Sequence, residues 1–311
     1  MAKMPSDVTA AKEFMPFVST GIFNRIKNAI FSSFHQGPVN HITGDVHYIA
    51  LLLKRKKTIM TVHDVEIIRR SGFIKRNFIL LFWFILPVKR VRYITVISEF
   101  TRQELLNYVP VRSSKLRVIP DCLPGSISFS PKPFNSDCPL ILQVGTRHNK
   151  NLSNLIRAVS GMKCKLLVLG KLNESQIKLL VQHSVEYQMY TELEYIQVLE
   201  LYQKCDLLAF VSTYEGFGLP ILEAQATGRP VITSRATSMP EVAGDGACLV
   251  DPHDVNSIRE GILRVINDPE YREELISKGC KNAERFKPEI IAERYAELYR
   301  EIYKDYKSYS H

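Results

Sequence analysis

The sequence is poor in the features that mark membrane-spanning, exported and disulfide-linked proteins. No apolar run reaches the roughly 18 residues of a membrane span, and the first residues lack the apolar core of a signal peptide. The 6 cysteines are scattered without a C-x-x-C pair, which favours buried thiols in a reducing compartment over disulfides or a zinc site. We therefore expect a cytoplasmic protein without a metal site.

Excess positive charge is confined to the first part of the chain. Residues 1–130 contain 19 lysines and arginines against 8 aspartates and glutamates, whereas residues 131–311 contain 22 against 24. Such an excess indicates either a solvated basic surface or an anionic partner, such as anionic lipid or a phosphorylated acceptor. Nucleic acid is not an expected partner, because no nucleic-acid recognition motif accompanies the charge.

An apolar block in this basic part has two interpretations. Residues 78–88 read FILLFWFILPV and are flanked by Lys75, Arg76, Lys89 and Arg90. The block is too short to span a bilayer, but it could be an interfacial helix whose apolar face enters lipid between basic flanks. That interpretation places the protein at the periphery of the inner membrane face. The alternative is a helix packed in the core of the first domain.

Strands alternate with helices through residues 1–130. A helix capped by Ser19 or Thr20 is predicted to end at Phe34, with apolar residues along one side. Strands are predicted at 39–45, 57–62, 92–97 and 116–119. Because ligands bind beyond the carboxyl ends of parallel strands, Gly44, Asp45 and His63 are candidate site residues.

A second alternating series follows a linker. Residues 120–138 are rich in Pro, Ser and Gly. Further strands are predicted at 139–145, 165–170, 185–190, 206–212, 231–234 and 248–250, with helices between and after them. The pattern predicts an α/β protein with two Rossmann-like parallel sheets. The predicted domains are 1–130 and 131–287, with 288–311 as a C-terminal helix.

The most informative stretch, residues 212–224, reads STYEGFGLPILEA. It follows a buried strand, so Gly216 and Gly218 lie in a strand-to-helix turn whose backbone can approach a ligand closely. Glu215 precedes this turn, and Glu223 lies one turn inside the helix. The start of the helix offers N–H groups to an anion.

This stretch resembles the Glu-(seven residues)-Glu signature of glycosyltransferase family 4, a large family of retaining enzymes with the GT-B fold. Upstream, Gly145 with Lys150 resembles the diphosphate loop of the family. The downstream motifs follow in the order and spacing of the family; they are PVITS at 230–234, SMPEV at 238–242 and LVDP at 249–252. The resemblance covers residues 139–254.

The resemblance implies a fold and a reaction. The fold would be two Rossmann-like domains facing a cleft, with the last helix returning to the N-terminal domain. The reaction would move a sugar, with retention, from a nucleotide-diphosphate sugar to a saccharide or lipid-linked acceptor in cell-surface polysaccharide biosynthesis. UDP or GDP is the expected nucleotide, and no cofactor is expected.

The resemblance also implies roles for individual residues. Lys150 would bind the diphosphate, Glu223 the ribose and Glu215 the donor sugar, while His63 would contact the sugar from the other domain. The predicted catalytic residues are Glu215, Lys150 and His63; the predicted donor-binding residues are Gly145, Arg147, Lys150, Glu215, Gly216, Phe217, Gly218, Leu219 and Glu223; the predicted acceptor-side residues are Gly44 and Asp45. Thr146 separates Arg147 from the glycine it usually follows.

Negative charge grows on the leaving phosphate during such a transfer, and fixed donors and cations would have to stabilise it. The backbone N–H groups of Phe217, Gly218 and Leu219, the helix dipole and Lys150 could do so. The sequence has no Asp-x-Asp motif. We therefore expect a metal-independent reaction.

One departure from the family leaves alternatives open. The usual opening strand and glycine-rich loop are missing before Phe17, so the N-terminal domain is predicted to be shortened. A protein partner could complete it, and the chain could then be a non-catalytic or partner-dependent subunit. A sugar phosphorylase with the same fold is a further alternative, and a sugar epimerase fits the C-terminal motifs less well.

Overall fold

The computed structural model describes residues 4–308. The chain forms two compact units: one contains the residues up to Asp121 and those from Pro288 onward, and the other is Cys122–Lys287. The first boundary therefore falls between residues 121 and 122, whereas the sequence predicted it between 130 and 131. Residues 119–139, all of them described, contain no helix or strand, as expected of a linker.

The first unit is built on a four-stranded parallel sheet in sequential order. Its strands are β1 (Asn40–Ile42), β2 (Thr58–Val62), β3 (Tyr93–Val96) and β4 (Leu116–Val118), and its helices are α1 (Ile22–Phe34), α2 (Glu66–Arg70), α3 (Phe73–Ile79), α4 (Leu86–Lys89) and α5 (Glu99–Tyr108). Every residue of β2 is buried. Because the strand order never reverses among the described residues, this sheet has no switch point of the kind that binds nucleotides in doubly wound folds.

The predicted cap of α1 is wrong. The residue before the helix is Gly21, at a φ of 71°, and it makes no side-chain capping bond. The Ser19 hydroxyl is instead hydrogen-bonded to the Tyr48 hydroxyl at 2.6 Å, which draws Ser19 away from the helix start.

The apolar block at 78–88 is divided between the core and the surface. It continues α3 through a π-helical stretch, Leu80–Ile85, into α4. Phe84 and Val88 are buried in the core of the first unit, and Trp83 packs against that core. Phe78 is half exposed. The core interpretation therefore holds for the second half of the block.

The second unit contains a six-stranded parallel sheet. In chain order its strands are β5 (Leu140–Val144), β6 (Lys165–Leu169), β7 (Glu186–Tyr190), β8 (Leu207–Phe210), β9 (Val231–Ser234) and β10 (Cys248–Val250). In space they lie in the order β10-β9-β8-β5-β6-β7. The chain thus runs outward from β5 on one side and returns to its other side with β8. This reversal is the topological switch point at which doubly wound sheets bind their ligands.

Seven helices of the second unit cover this sheet or follow it. They are α6 (Leu152–Val159), α7 (Glu174–Gln182), α8 (Tyr195–Lys204), α9 (Leu219–Thr227), α10 (Met239–Ala243), α11 (Val255–Asn267) and α12 (Pro269–Ala283). A continuous core of strand and helix side chains includes Ile141, Leu155, Leu166, Val211 and Ile262, all of them fully buried. This rigid layer holds the loops at the carboxyl ends of β5 and β8.

The last helix, α13 (Pro288–Ser308), belongs to the first unit, as predicted. The Tyr299 hydroxyl lies 2.6 Å from Nδ1 of His41 on β1, and Arg92 donates to Asp305 at 2.6 Å. Burial lowers the pKa of His41 to about 4, so its ring is neutral at ordinary pH. These contacts fix α13 to the four-stranded sheet.

Candidate active site

Two loops meet at the switch point of the second sheet. The loop after β5 contains Gly145, Arg147 and Lys150. The loop after β8 contains Gly216, Phe217 and Gly218, which we call the glycine turn. Asn151, at a φ of 58°, begins α6 and joins the two loops. Its side-chain amide donates to the carbonyl oxygens of Val211 at 2.9 Å and Pro252 at 2.7 Å. The predicted donor-binding residues of both loops are therefore held beside one another.

Lys150 and Glu215 form the central ion pair of this site. Nζ of Lys150 lies 2.7 Å from Oε1 of Glu215, and the two side chains are 19% and 14% exposed. Nζ also lies 4.8 Å from the centre of the Phe210 ring. In such a partly dry setting the attraction between opposite charges is screened less than at an open surface. An ammonium group has three donors, so Lys150 can bind Glu215 and a further anion together.

Gly145 makes room for the Lys150 side chain. A Cβ atom at Gly145 would lie 3.0 Å from Cγ of Lys150, and its φ of +87° favours glycine. Gln143, fully buried on β5, donates to the carbonyl oxygens of both Gly145 and Lys150 at 3.0 Å. No local sequence pattern singles out Gln143, yet its side chain holds both ends of this loop.

The glycine turn is oriented by Ser238. The single proton of the Ser238 hydroxyl is shared between the carbonyl oxygens of Glu215, at 2.9 Å, and Phe217, at 2.7 Å. In a trans peptide the carbonyl and the following N–H point in opposite directions, so the Gly218 N–H points away from Ser238. The φ of +121° at Gly218, directly before α9, also favours glycine.

The side chains at the glycine turn pack in the interior or begin the next helix. Phe217 is buried, and its ring packs edge-on against Phe286 with the centroids 5.8 Å apart. Leu219 begins α9, and Pro220 lies in the first turn of the helix, where a backbone N–H would have no partner within the helix.

Thr237 contacts the backbone just before the glycine turn. The backbone N–H of Glu215 donates to Oγ1 of Thr237 at 3.2 Å. Thr237 has a φ of 54°, which is rare for a β-branched residue and indicates local strain next to the site.

Glu223 is held by two tyrosines. It is 5% exposed, and its carboxylate accepts hydrogen bonds from Tyr202 at 2.6 Å and Tyr195 at 3.0 Å. Burial raises the pKa of the Glu223 carboxyl, and the two tyrosine bonds oppose that rise. Of the three, Tyr195 is the one with substantial exposure, so it marks the side of Glu223 that faces solvent.

Arg147 is exposed, and its carbonyl oxygen accepts from the Lys150 backbone at 2.9 Å. Thr146 donates to the Lys171 carbonyl at 2.7 Å, so it faces the neighbouring β6 loop. The predicted role of Arg147 remains a prediction.

The candidates from the first unit lie at its strand ends. Nε2 of His63 bonds to the Thr43 carbonyl at 2.9 Å, and Nδ1 lies 3.9 Å from a carboxylate oxygen of Asp121. Asp121 raises the pKa of His63. Gly44 and Asp45 are exposed in the preceding turn. Sequence reasoning missed Asp121, because it lies 58 residues away along the chain and only the folded sheet brings it to His63.

Residues 4–308 lack two features that would change the picture of the site. None of their helices is both long and apolar enough to cross a membrane. They also contain no group of three or more His, Cys, Asp or Glu side chains placed to hold a metal ion.

Two family models match the chain. The model described as "Glycosyl transferases group 1" matches residues 127–282, and the one described as "Glycosyltransferase Family 4" matches residues 39–123. The first covers half of the chain and contains both loops of the candidate site.

Among curated proteins, the chain is similar to two from Escherichia coli. One is an O-antigen chain mannosyltransferase B, 44% identical over 86 residues, which are 28% of this chain and 23% of that protein. The other is a serotype-specific mannosyltransferase WbdA, 27% identical over 222 residues, which are 64% of this chain and 27% of that protein. The matched parts thus span only about a quarter of these relatives.

Among solved structures, the chain is similar to sucrose-phosphate synthase from Thermosynechococcus elongatus, with a TM-score of 0.78 at 20% identity. That match covers 91% of this chain and 79% of the other. A second is WaaG, a glycosyltransferase involved in lipopolysaccharide biosynthesis, with a TM-score of 0.68 at 15% identity, covering 91% of this chain and 85% of the other. At these identities the likeness concerns the fold.

Proposed function

This chain belongs to the glycosyl transferases group 1 family and has the GT-B fold, and from that premise we propose that it is a retaining glycosyltransferase. It moves a sugar from a nucleotide-diphosphate sugar to a saccharide or lipid-linked acceptor. The observation that carries this proposal is the Lys150–Glu215 pair at the switch point of the second sheet.

Lys150 supplies the charge that the leaving group requires. Breaking the bond to the anomeric carbon leaves negative charge on the diphosphate, and a fixed cation in a partly dry site stabilises that charge strongly. The N–H groups at the start of α9 add partial positive charge at the end of the loop after β8. Glu215 holds the ammonium in place through one carboxylate oxygen, and its other oxygen can accept from a sugar hydroxyl.

Glu223 binds the ribose of the donor. Its carboxylate is immobilised by Tyr202 and Tyr195, and a carboxylate oxygen can accept a second hydrogen bond from a hydroxyl. His63 contacts the transferred sugar, and the neighbouring Asp121 raises the pKa of its imidazole. Gly44 and Asp45 lie on the acceptor side.

The sugar proposed first is mannose, because several of the similar curated proteins are named mannosyltransferases. We propose UDP or GDP as the nucleotide and a cell-surface polysaccharide as the product. The reaction takes place without a bound metal.

A panel of donors tests this function. The purified chain is first screened by thermal shift against UDP, GDP, ADP and their sugars, and then assayed for nucleoside diphosphate release with and without a lipid extract. Release that requires the extract supports a transferase. Release, or sugar phosphate formation, that requires orthophosphate would identify a phosphorylase instead. Binding without turnover in any arm would identify a non-catalytic subunit.

A further inference from the structure

Helix α1 exposes its apolar side and buries its polar side. Asn28 and Ser32 are buried together with Ala29. The Asn28 amide donates to the Phe17 carbonyl at 2.8 Å and to the Tyr48 hydroxyl at 3.2 Å, so its burial is satisfied. The apolar residues that α1 and the segment before it expose are Phe14, Phe17, Val18, Ile22, Phe23, Ile26, Ile30 and Phe34. We call these eight side chains the α1 face.

This arrangement is the reverse of that in an ordinary surface helix. Such a helix buries its apolar stripe and turns its polar residues to solvent. Phe23 and Phe34 are instead 78% and 80% exposed. Several exposed apolar side chains on one helix and the segment before it favour a site of interaction.

A second set of exposed apolar side chains lies in the same unit, on α3. Phe73, Ile74 and Phe78 of α3 are exposed, and the Phe78 ring packs against that of Phe82 with the centroids 4.7 Å apart. Arg25 of α1 contacts the π-helical stretch that follows α3, because its guanidinium group lies 4.4 Å from the centre of the Trp83 ring. The helical run that contains α3 is therefore in contact with α1.

The charge of these segments favours an anionic partner. The sequence has no aspartate or glutamate from residue 14 to 44 or from residue 67 to 98. The charged side chains within them are cations, among them Arg25, Lys27, Lys75 and Arg76. Exposed Phe and Ile interleaved with Lys and Arg are typical of helices that lie in the interface of an anionic bilayer.

We propose that the α1 face, with the exposed residues of α3, docks the protein on an anionic lipid surface. The apolar side chains enter the boundary between headgroups and acyl chains, and the cations bind the headgroups. This assignment shifts the contact from the 78–88 block, whose second half is core, to α1. It deepens the proposed function, on which it rests for the lipid-linked acceptor that such docking would bring within reach.

Vesicle flotation tests the proposal with the full chain. Wild-type protein should float with phosphatidylglycerol vesicles at low salt, much less at high salt, and not with phosphatidylcholine vesicles, because salt screens the attraction between cations and headgroups. The double variant Phe23→Ser/Phe34→Ser should reduce the bound fraction about tenfold or more, since two apolar rings no longer enter the bilayer. The matched control is Ile177→Ser/Val181→Ser, two exposed apolar residues of α7 in the other unit, which should float like wild type.

Each contrary outcome overturns the proposal. If wild-type protein does not float at low salt, the protein does not bind anionic lipid. If the double variant floats as well as wild type, the α1 face is not the part of the protein that binds it. Light scattering without vesicles supplies a further check: a dimer that becomes a monomer in Phe23→Ser/Phe34→Ser assigns the α1 face to a second copy. Nucleoside diphosphate release is measured separately, so a failure of transfer and a failure of docking are distinguishable.

Discussion

Nζ of Lys150 lies 2.7 Å from Oε1 of Glu215, although 65 residues separate them in the chain. They meet because β5 and β8 are neighbours in the sheet and both loops leave at the same edge. A cation held in this way has its position fixed before a substrate arrives. Fixed charge of this kind stabilises a transition state without a reorganisation cost at the moment of reaction.

The first prediction separates the orientation of the glycine turn from general stability. Ser238→Ala removes the donor to the Glu215 and Phe217 carbonyls, and Ser234→Ala removes the donor to the Ser212 carbonyl at 2.6 Å. Both serines are buried, so each change should cost about 1–3 kcal/mol in urea unfolding. Turnover should fall about tenfold or more in Ser238→Ala alone, since the donors of the turn lose their alignment. Equal losses of turnover in the two variants would contradict the prediction that Ser238 orients the glycine turn for catalysis.

The second prediction concerns the pH dependence of stability. The pKa of Glu223 is raised in the folded protein, so the folded state binds its proton more tightly than the unfolded state does. Its contribution to stability therefore declines as pH rises from the ordinary carboxyl pKa through the raised one. Glu223→Gln removes this decline, and it should raise the thermal midpoint more at pH 8 than at pH 5. The exposed Glu186→Gln serves as the control, and equal shifts at both pH values would contradict the argument.

The third prediction divides the two carboxylates by role. Glu223→Ala should weaken nucleoside diphosphate binding about 10- to 100-fold, because a charged acceptor for the ribose hydroxyls is lost. Glu215→Ala should bind the nucleotide nearly as well and slow turnover about 10²-fold, because Lys150 loses its anchor. Calorimetric titration with the nucleotide and initial rates measure the two effects. The same loss of nucleotide affinity in both variants would refute the division.

The fourth prediction concerns metal ions. Lys150 and the start of α9 supply positive charge where the leaving phosphate would lie, so we expect turnover to persist in EDTA. Loss of turnover in EDTA that Mn²⁺ restores would show that these groups do not suffice.

Much of the second unit was predictable from the sequence, because its strands are short buried apolar runs bounded by glycine and polar residues. β8 and α9 lie close to their predicted positions, since the apolar strand and the glycine turn are both strong local signals. The short α10 was missed, because five residues that begin with Met-Pro carry little helical periodicity.

The supporting contacts of the site were not predictable. Tyr195, Gln143 and Asp121 act through partners far away in the chain, and no local pattern marks them. The outward-facing side of α1 was hidden for a different reason: its apolar period predicts a helix, but the period does not say which side is buried. Only the satisfied burial of Asn28 reveals the orientation.

The most direct test of the account is acceptor-dependent release of nucleoside diphosphate by wild type, Lys150→Ala and the control Lys163→Ala. Lys163 is an exposed lysine of the same unit outside the site. With a donor from the panel and the lipid extract, wild type and Lys163→Ala should release nucleotide at the same rate, and Lys150→Ala should be slower by about 10²–10³-fold. Release by Lys150→Ala within a few-fold of wild type, or no acceptor-dependent release by wild type from any donor, would contradict it.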